Sequence, residues 1–264
     1  VCLYLLQCLL VPKYASDIKE GAMIKEYYNS EKNHDVLILG DCEVYENIST
    51  VTMWENYGIS SYIRGSAEQL IWQSYYLLED TLKYEKPQVV ILNVLAMTES
   101  DAKNEAYNRM TLDGMKLSKY KIASIRESMT EEENMASYIF PLLRYHSRWS
   151  ELSSEDFRYM WKTPSVTTNG YLMQKGVRPV KTIPKAAPLA NYTFSDRNME
   201  YLDKIYSLCK DNGINLVLMK APSVYPHWYD EWDRQVSDYA YEHGILYLNT
   251  INEAGNIGID YTTD

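Results

Sequence analysis

The polar side chains best placed for chemistry follow apolar runs of the sequence rather than standing inside them. Each of the following residues comes directly after such a run: Asp41, Cys42 and Glu43 after VLILG, then Gly65 and Ser66, then Asn93, and finally Ser223. In an open parallel α/β sheet, ligands bind beyond the carboxyl ends of the strands. If these runs are strands of such a sheet, a thiol, two carboxylates, an amide and hydroxyls line a binding site at one edge.

Several other kinds of site are excluded by the residues themselves. The turn LGDCEVY lacks the second and third glycines of a dinucleotide-binding fingerprint, and the chain has no Walker-type GK[ST] sequence. No His, Cys, Asp or Glu residues have metal-ligand spacing, and the four cysteines are too sparse for a disulfide scaffold. We therefore expect neither a metal ion nor a cofactor.

The net charge of the chain limits its partners. The 36 acidic residues outnumber the 26 basic ones, which gives a net charge of −10, and no run of Lys and Arg is present. Composition thus shows no electrostatic footprint for nucleic acid, nor for an anionic membrane surface. We expect no binding to nucleic acid.

Strand and helix patterns alternate along most of the chain. Apolar, β-branched runs predict strands at residues 35–39 and in ISSYIRG, QVVILNVL, INLVLMKAPS and GILYLN. Amphipathic spacing predicts a helix over SAEQLIWQSYYLLEDTLKYEK, with Ser66 as its N-cap, and further helices over residues 194–213 and 229–242. Strands that are apolar throughout are typical of a parallel sheet covered on both faces. The sequence therefore predicts an α/β fold, a flavodoxin-like three-layer sandwich with a five-stranded parallel sheet.

Residues 98–192 interrupt this alternation between strands three and four. They contain predicted helices at residues 117–128, 131–143 and 155–161, followed by a stretch rich in Pro, Gly and Thr. No shift of composition separates this segment from the rest. We expect a helical cap inserted into a single domain that covers residues 17–264.

The chain opens on VCLYLLQCLLV, in which Gln7 is the only polar residue. This run is shorter than the roughly 20 apolar residues that a membrane span needs. It is either a buried first helix or the tail of a signal anchor, and we favour the second for residues 1–16. The remainder would then lie outside the cytoplasm, attached to the membrane at the cell surface.

The predicted site carries a family resemblance. The segment ILGDCEVYENI resembles the first block of the SGNH/GDSL hydrolases, where Gly-Asp-Ser follows an apolar strand. Gly65 in SYIRGSAEQ resembles the glycine of their second block, and Asn93 in QVVILNV falls where their third block begins. The wider pattern is similar to extracytoplasmic members that add or remove O-acetyl groups on polysaccharides.

This resemblance implies an acyl esterase or acyltransferase acting on O-acyl groups of a cell-surface glycan, or on another small ester. Cys42 occupies the nucleophile position, and its backbone amide, Gly65 and Asn93 would hold the oxyanion. The residues at the surrounding turns are candidates for substrate contact: Asp41, Glu43, Arg64, Ser66, Gln69, Ser223 and His227.

Three departures from the family pattern bear on that chemistry. Cys42 replaces serine; a helix N-terminus lowers the pKa of a thiol, whereas the flanking Asp41 and Glu43 raise it. The third block retains only Asn93, which stands either inside its strand or at its end. The family's Asp-x-x-His pair, which supplies the base, does not occur in these 264 residues. Since that pair follows the last strand, we expect it beyond Asp264 and expect this chain alone to be inactive.

The four histidines offer few substitutes for that base. His34 and His243 precede strands, His146 lies in the insertion, and His227 follows strand four on the side of the predicted site. An alternative function needs no base at all. In this alternative, the change from serine to cysteine indicates that catalytic activity has been lost. The protein is then a non-catalytic relative that binds glycan or assists envelope assembly.

Overall fold

A computed structural model describes residues 1–14, 19–176, 179–180, 182 and 185–263. The boundary drawn between residues 16 and 17 falls outside the described residues. Five parallel strands form one sheet: β1 (Val36–Gly40), β2 (Ser61–Gly65), β3 (Val89–Asn93), β4 (Asn215–Lys220) and β5 (Leu246–Asn249). Their order is β2-β1-β3-β4-β5. Strand β2 is thus added on one side of β1 and the later strands on the other, so the strand order reverses between β1 and β3. The predicted α/β fold with a five-stranded parallel sheet is confirmed.

Helices flank this sheet. They are α1 (Cys2–Leu10), α2 (Glu20–Glu26), α3 (Cys42–Asn47), α4 (Thr50–Tyr57), α5 (Ile71–Thr81), α6 (Glu105–Leu112), α7 (Lys119–Ser128), α8 (Met135–Ile139), α9 (Leu142–Tyr145), α10 (Ser154–Arg158), α11 (Asp196–Asp211) and α12 (Asp230–His243). Short 3-10 turns cover Tyr27–Asn29, Val94–Thr98 and His146–Glu151. None of the helices in the described ranges is both long and apolar enough to cross a membrane.

Two apolar clusters, one on each face, hold the sheet between its helices. Successive side chains of a strand point to opposite faces. Leu37 and Leu39 of β1 accordingly pack in the larger cluster with α5, α7 and α11, whereas Val36 and Ile38 pack in the smaller one with α3. Burial on both faces explains why the strands read as continuous apolar runs.

The predicted N-cap of α5 is wrong. The helix begins at Ile71 with Leu70 as its N-cap, and the Gln73 side chain accepts a hydrogen bond from the Leu70 backbone N–H at 3.1 Å. Ser66 lies in the preceding turn, where its hydroxyl bonds to Gln69 and Thr111. A hydroxyl held by side chains in this way does not cap the helix.

The insertion differs in detail from its prediction. The predicted helix over residues 131–143 is two short helices, α8 and α9, which are separated at Pro141 because proline cannot continue α8. Helix α6 was not predicted, nor were α2, α3 and α4. The insertion nevertheless shares the main core, since the indole N–H of Trp72 in α5 donates to the Ser128 hydroxyl of α7 at 3.0 Å.

Candidate functional site

The turns after β1 and β2 meet along one rim of the sheet. Gly40 and Gly65 end these neighbouring strands as directly paired residues. A Cβ atom at Gly65 would lie 2.8 Å from Val44 Cγ2 and 3.0 Å from the Gly40 carbonyl oxygen. Only glycine allows the two turns to approach this closely. The segment carrying Cys42 is thereby held beside the end of β2.

Asp41 fixes the start of α3. Its backbone is extended, and its Oδ1 accepts a hydrogen bond from the Glu43 backbone N–H at 3.1 Å. An aspartate N-cap of this kind satisfies one of the free amides of the first turn. Cys42 follows as the first helical residue, with its thiol partly exposed at the rim.

Asn93 joins this turn to the middle of the sheet. It is the last residue of β3, which resolves whether it stands inside the strand or at its end. Its Nδ2 donates to Asp41 Oδ1 at 3.0 Å and to Glu43 Oε2 at 2.9 Å, and its Oδ1 accepts from the Ala221 backbone N–H at 3.2 Å. Both amide hydrogens are therefore engaged by carboxylates, so Nδ2 has no hydrogen left for an oxyanion.

Lys220 is a member of the site that the sequence reading missed. The last residue of β4, it is fully buried, and its Nζ donates to the two Glu43 carboxylate oxygens at 2.7 and 2.8 Å. It also donates to the Ala221 carbonyl at 2.7 Å and to the Ser223 hydroxyl at 3.1 Å. One signal was available, because a lysine that ends an apolar strand needs a buried anion as its partner.

Burial dominates the electrostatics of the cluster. It raises the pKa of the Asp41 carboxyl to about 7, and the nearby Glu43 charge adds to this shift. It also raises the pKa of the Cys42 thiol to about 12, with further contributions from Asp41, Glu46 and Glu43. Burial lowers the pKa of Lys220, against the attraction of Glu43. The carboxylates and burial thus outweigh the helix N-terminus, and Cys42 is a protonated thiol at neutral pH.

Arg64, one of the predicted contact residues, lies away from the rim. Its guanidinium is fully buried beside α5, where Nη1 donates to the Leu77 carbonyl at 2.9 Å, to Thr81 Oγ1 at 2.8 Å and to Asp80 Oδ2 at 3.2 Å. This ion pair is internal to the fold, so the side chain is not available to a ligand at the Cys42 turn.

Ser66 and Gln69 are also buried, in contact with α5 and α6 rather than at the rim. The Gln69 amide donates to the Arg64 carbonyl at 3.2 Å and to the Ser74 hydroxyl at 2.9 Å. The structure therefore brings together Asp41, Cys42, Glu43, Gly65, Asn93 and Ser223 of the predicted residues. It does not bring Arg64, Ser66 and Gln69 to the same surface.

No histidine contacts the thiol. His227 is exposed after β4, with its ring edge-to-face against Tyr229. His34 bonds to Glu85, while His146 and His243 bond to backbone carbonyls of their own segments. Across the described ranges, no side chain forms a hydrogen bond with Cys42 Sγ. Those ranges also contain no group of three His, Cys, Asp or Glu residues suited to a metal ion.

Comparison with known proteins assigns the chain to no family. No family model matches the chain, and no curated protein matches it either. The function is therefore inferred from the chemistry of this rim.

Proposed function

We propose that the protein is an SGNH-like acyl esterase or acyltransferase in which Cys42 receives the acyl group. The observation that carries this proposal is the meeting of Cys42, Gly65 and Asn93 at the carboxyl ends of three adjacent strands. Such an edge is where open α/β sheets bind ligands. The turn carries a nucleophilic atom at this edge, directly after Gly40, which is paired with Gly65.

The proposed reaction proceeds in two steps. The deprotonated Sγ attacks the ester carbonyl, a C–S bond forms, and the alcohol leaves with a proton. Water or a second hydroxyl group then attacks the thioester and releases Cys42. The amides of Cys42 and Gly65 would hold the oxyanion; Asn93 joins them only when its Nδ2 leaves one of the two carboxylates. Since the thiol pKa is about 12, attack at neutral pH also requires a general base.

The substrate class and location belong to the same proposal. We infer an O-acylated glycan, or another small ester, and a membrane-attached position at the cell surface. The substrate class rests on the resemblance of the strand-end segments around Gly40, Gly65 and Asn93 to the SGNH hydrolases. The location rests on the apolar run VCLYLLQCLLV as well.

A second candidate function is favoured by a specific observation. The thiol is protonated, and both hydrogens of the Asn93 amide are held by Asp41 and Glu43. A site arranged in this way is stable as it stands and has no free oxyanion donor on Asn93. The alternative is therefore a non-catalytic protein that binds glycan or assists envelope assembly through the same rim.

Ester hydrolysis by the protein distinguishes the two. With p-nitrophenyl acetate, Cys42→Ala should reduce the rate to that of the uncatalysed reaction, while Cys42→Ser retains measurable activity. Cys209→Ala, which alters a buried thiol on α11, is the matched control and should leave the rate unchanged. Intact-mass measurement should detect an acetyl adduct on the wild type and none on Cys42→Ala. Equal rates for wild type and Cys42→Ala would remove the catalytic proposal and leave the binding one.

A further inference from the structure

We propose that α1 and residues 139–162 together form a surface that docks on an anionic phospholipid bilayer. This surface, termed here the α1/139–162 face, is assembled by the fold from two distant stretches of sequence. Gln7 in α1 accepts a hydrogen bond from the Leu142 N–H at 3.5 Å, and Arg148 donates to the Leu10 carbonyl at 2.8 Å. The inference is independent of any role of Cys42.

An apolar groove runs between the two stretches. It has a volume of about 530 Å³ and is lined by Leu3, Tyr4, Gln7, Ile139, Phe140, Leu142 and Leu143. Leu3, Tyr4, Phe140 and Leu143 are each between 58% and 71% exposed. A contiguous apolar surface of this kind marks an interaction site rather than ordinary surface.

Exposed aromatic side chains lie on elements that contact α1 (the 3-10 turn His146–Glu151 and α10) and on the residues directly after α10. Trp149, Phe157 and Trp161 are each at least 60% exposed and belong to the segments that follow α9. Aromatic rings, tryptophan above all, are favoured at the boundary between lipid and water. Such rings fit a bilayer surface.

The charge of this face differs from that of the whole chain. Residues 1–14 and 139–162 carry five Lys and Arg against three Asp and Glu, although the protein as a whole has a net charge of −10. Arg144 and Arg148 are ion-paired with Glu105 and Asp156, so the proposal relies on the exposed cations Arg158 and Lys162. Arg158 and Lys162 are exposed and directly follow Phe157 and Trp161 in the sequence. The composition of the whole chain gives no such footprint, because the acidic residues elsewhere outweigh these cations. An anionic bilayer repels the acidic remainder, so this face is the one presented to it.

Charge also favours lipid over a second copy of the chain. A symmetric dimer through this face would place the same cations opposite each other. The anionic headgroups of a bilayer instead attract them, while the groove side chains reach the acyl chains. A bilayer can therefore cover the apolar groove and also attract the exposed cations Arg158 and Lys162.

Sedimentation with vesicles tests this docking. The chain should bind vesicles containing about one third phosphatidylglycerol more tightly than pure phosphatidylcholine vesicles, and added salt should weaken the difference. Phe140→Ser combined with Leu143→Ser should weaken binding at least about tenfold, because both apolar side chains lose their burial in lipid. Arg158→Ala and Lys162→Ala should each weaken binding to the anionic vesicles about fivefold.

The matched control removes two exposed aromatic rings elsewhere. Tyr57→Ser combined with Tyr241→Ser, on α4 and α12, should leave vesicle binding unchanged. Circular dichroism should show that all variants are folded. Absence of sedimentation, or equal loss in both double variants, would overturn the proposal. So would a dimer, seen by light scattering, that disappears only in the Phe140/Leu143 variant.

Discussion

Cys42 shows how the neighbours of one residue decide its chemistry. A thiol in the first turn of a helix is ordinarily made more acidic by the free backbone amides. Here burial and four surrounding carboxylates act in the opposite direction, and the pKa of the thiol rises to about 12. The proton on sulfur is therefore the main barrier to any reaction at this site.

The rate of alkylation measures how readily the Cys42 thiol loses this proton. We expect Cys42 to react with iodoacetamide far more slowly at pH 7.5 than the exposed Cys2, and its rate to rise steadily toward pH 12. Asp41→Asn removes one adjacent charge while keeping an effective N-cap, so it should accelerate the reaction at pH 8. Peptide mapping by mass spectrometry gives both rates. Rapid alkylation of Cys42 at neutral pH would show an activated thiol instead.

The raised pKa of Asp41 has a consequence for stability. This carboxyl has an ordinary pKa of 3.8 and a pKa of about 7 in the folded chain, so between these values the folded state binds the extra proton. Its contribution to stability is complete below pH 3.8 and is lost as the pH rises through 7. Asp41→Asn cannot ionise, so from pH 5 to pH 8 its stability should improve relative to wild type by on the order of 2 kcal/mol. Urea unfolding at each pH measures the free energy of unfolding of both proteins. A difference between them that stays constant from pH 5 to pH 8 would contradict the prediction.

For single residues, the sequence predicts the place in the sheet better than the hydrogen-bond and ion-pair partners. Asp41, Cys42 and Asn93 follow apolar runs, and this alone places them at one edge of the sheet. The ion pair of Glu43 with Lys220 depends on β4 lying beside β3, a pairing that no local pattern contains. The same limit applies to Asn93, whose amide hydrogens are engaged by side chains from another turn.

At the scale of elements, β2 and α5 are joined by a buried charge pair. Arg64 of β2 and Asp80 of α5 are both fully buried, and Arg64 also lies 4.2 Å from the centroid of the Tyr27 ring. The amphipathic spacing predicts α5 correctly, but a charged residue inside a strand gives no indication of which way it points. Arg64 was therefore assigned to the rim when it serves the contact between helix and sheet.

Removing the anion of this pair should be costly. Asp80→Asn leaves the Arg64 guanidinium buried with no carboxylate beside it, and we expect a loss of about 3–5 kcal/mol in the free energy of unfolding. Glu200→Gln breaks the exposed pair with Lys204 on α11 and should leave the free energy of unfolding nearly unchanged. Urea denaturation compares them. Similar losses for both substitutions would mean that burial does not set the strength of the Arg64 pair.

For the whole molecule, the alternation of strands and helices was sufficient to predict the sheet, because β1, β3 and β4 are largely buried and predominantly apolar. The insertion was harder to predict. Its helices are short, and Asn108 and Gln73 contribute to a polar network with Ser128 rather than to an apolar stripe. Periodicity detects apolar stripes and not such networks, which is why α6 was missed.

The insertion also separates the two halves of the sheet along the chain. Strands β1, β2 and β3 are complete by Asn93, whereas their neighbour β4 begins only at Asn215. Closing so long a loop is slow and costs entropy, so the first three strands can assemble before the fourth arrives. Until β4 pairs with β3, Glu43 lacks Lys220 as its ion-pair partner. We therefore expect the ion pair of Glu43 with Lys220 to form late in folding, because its lysine is supplied by β4.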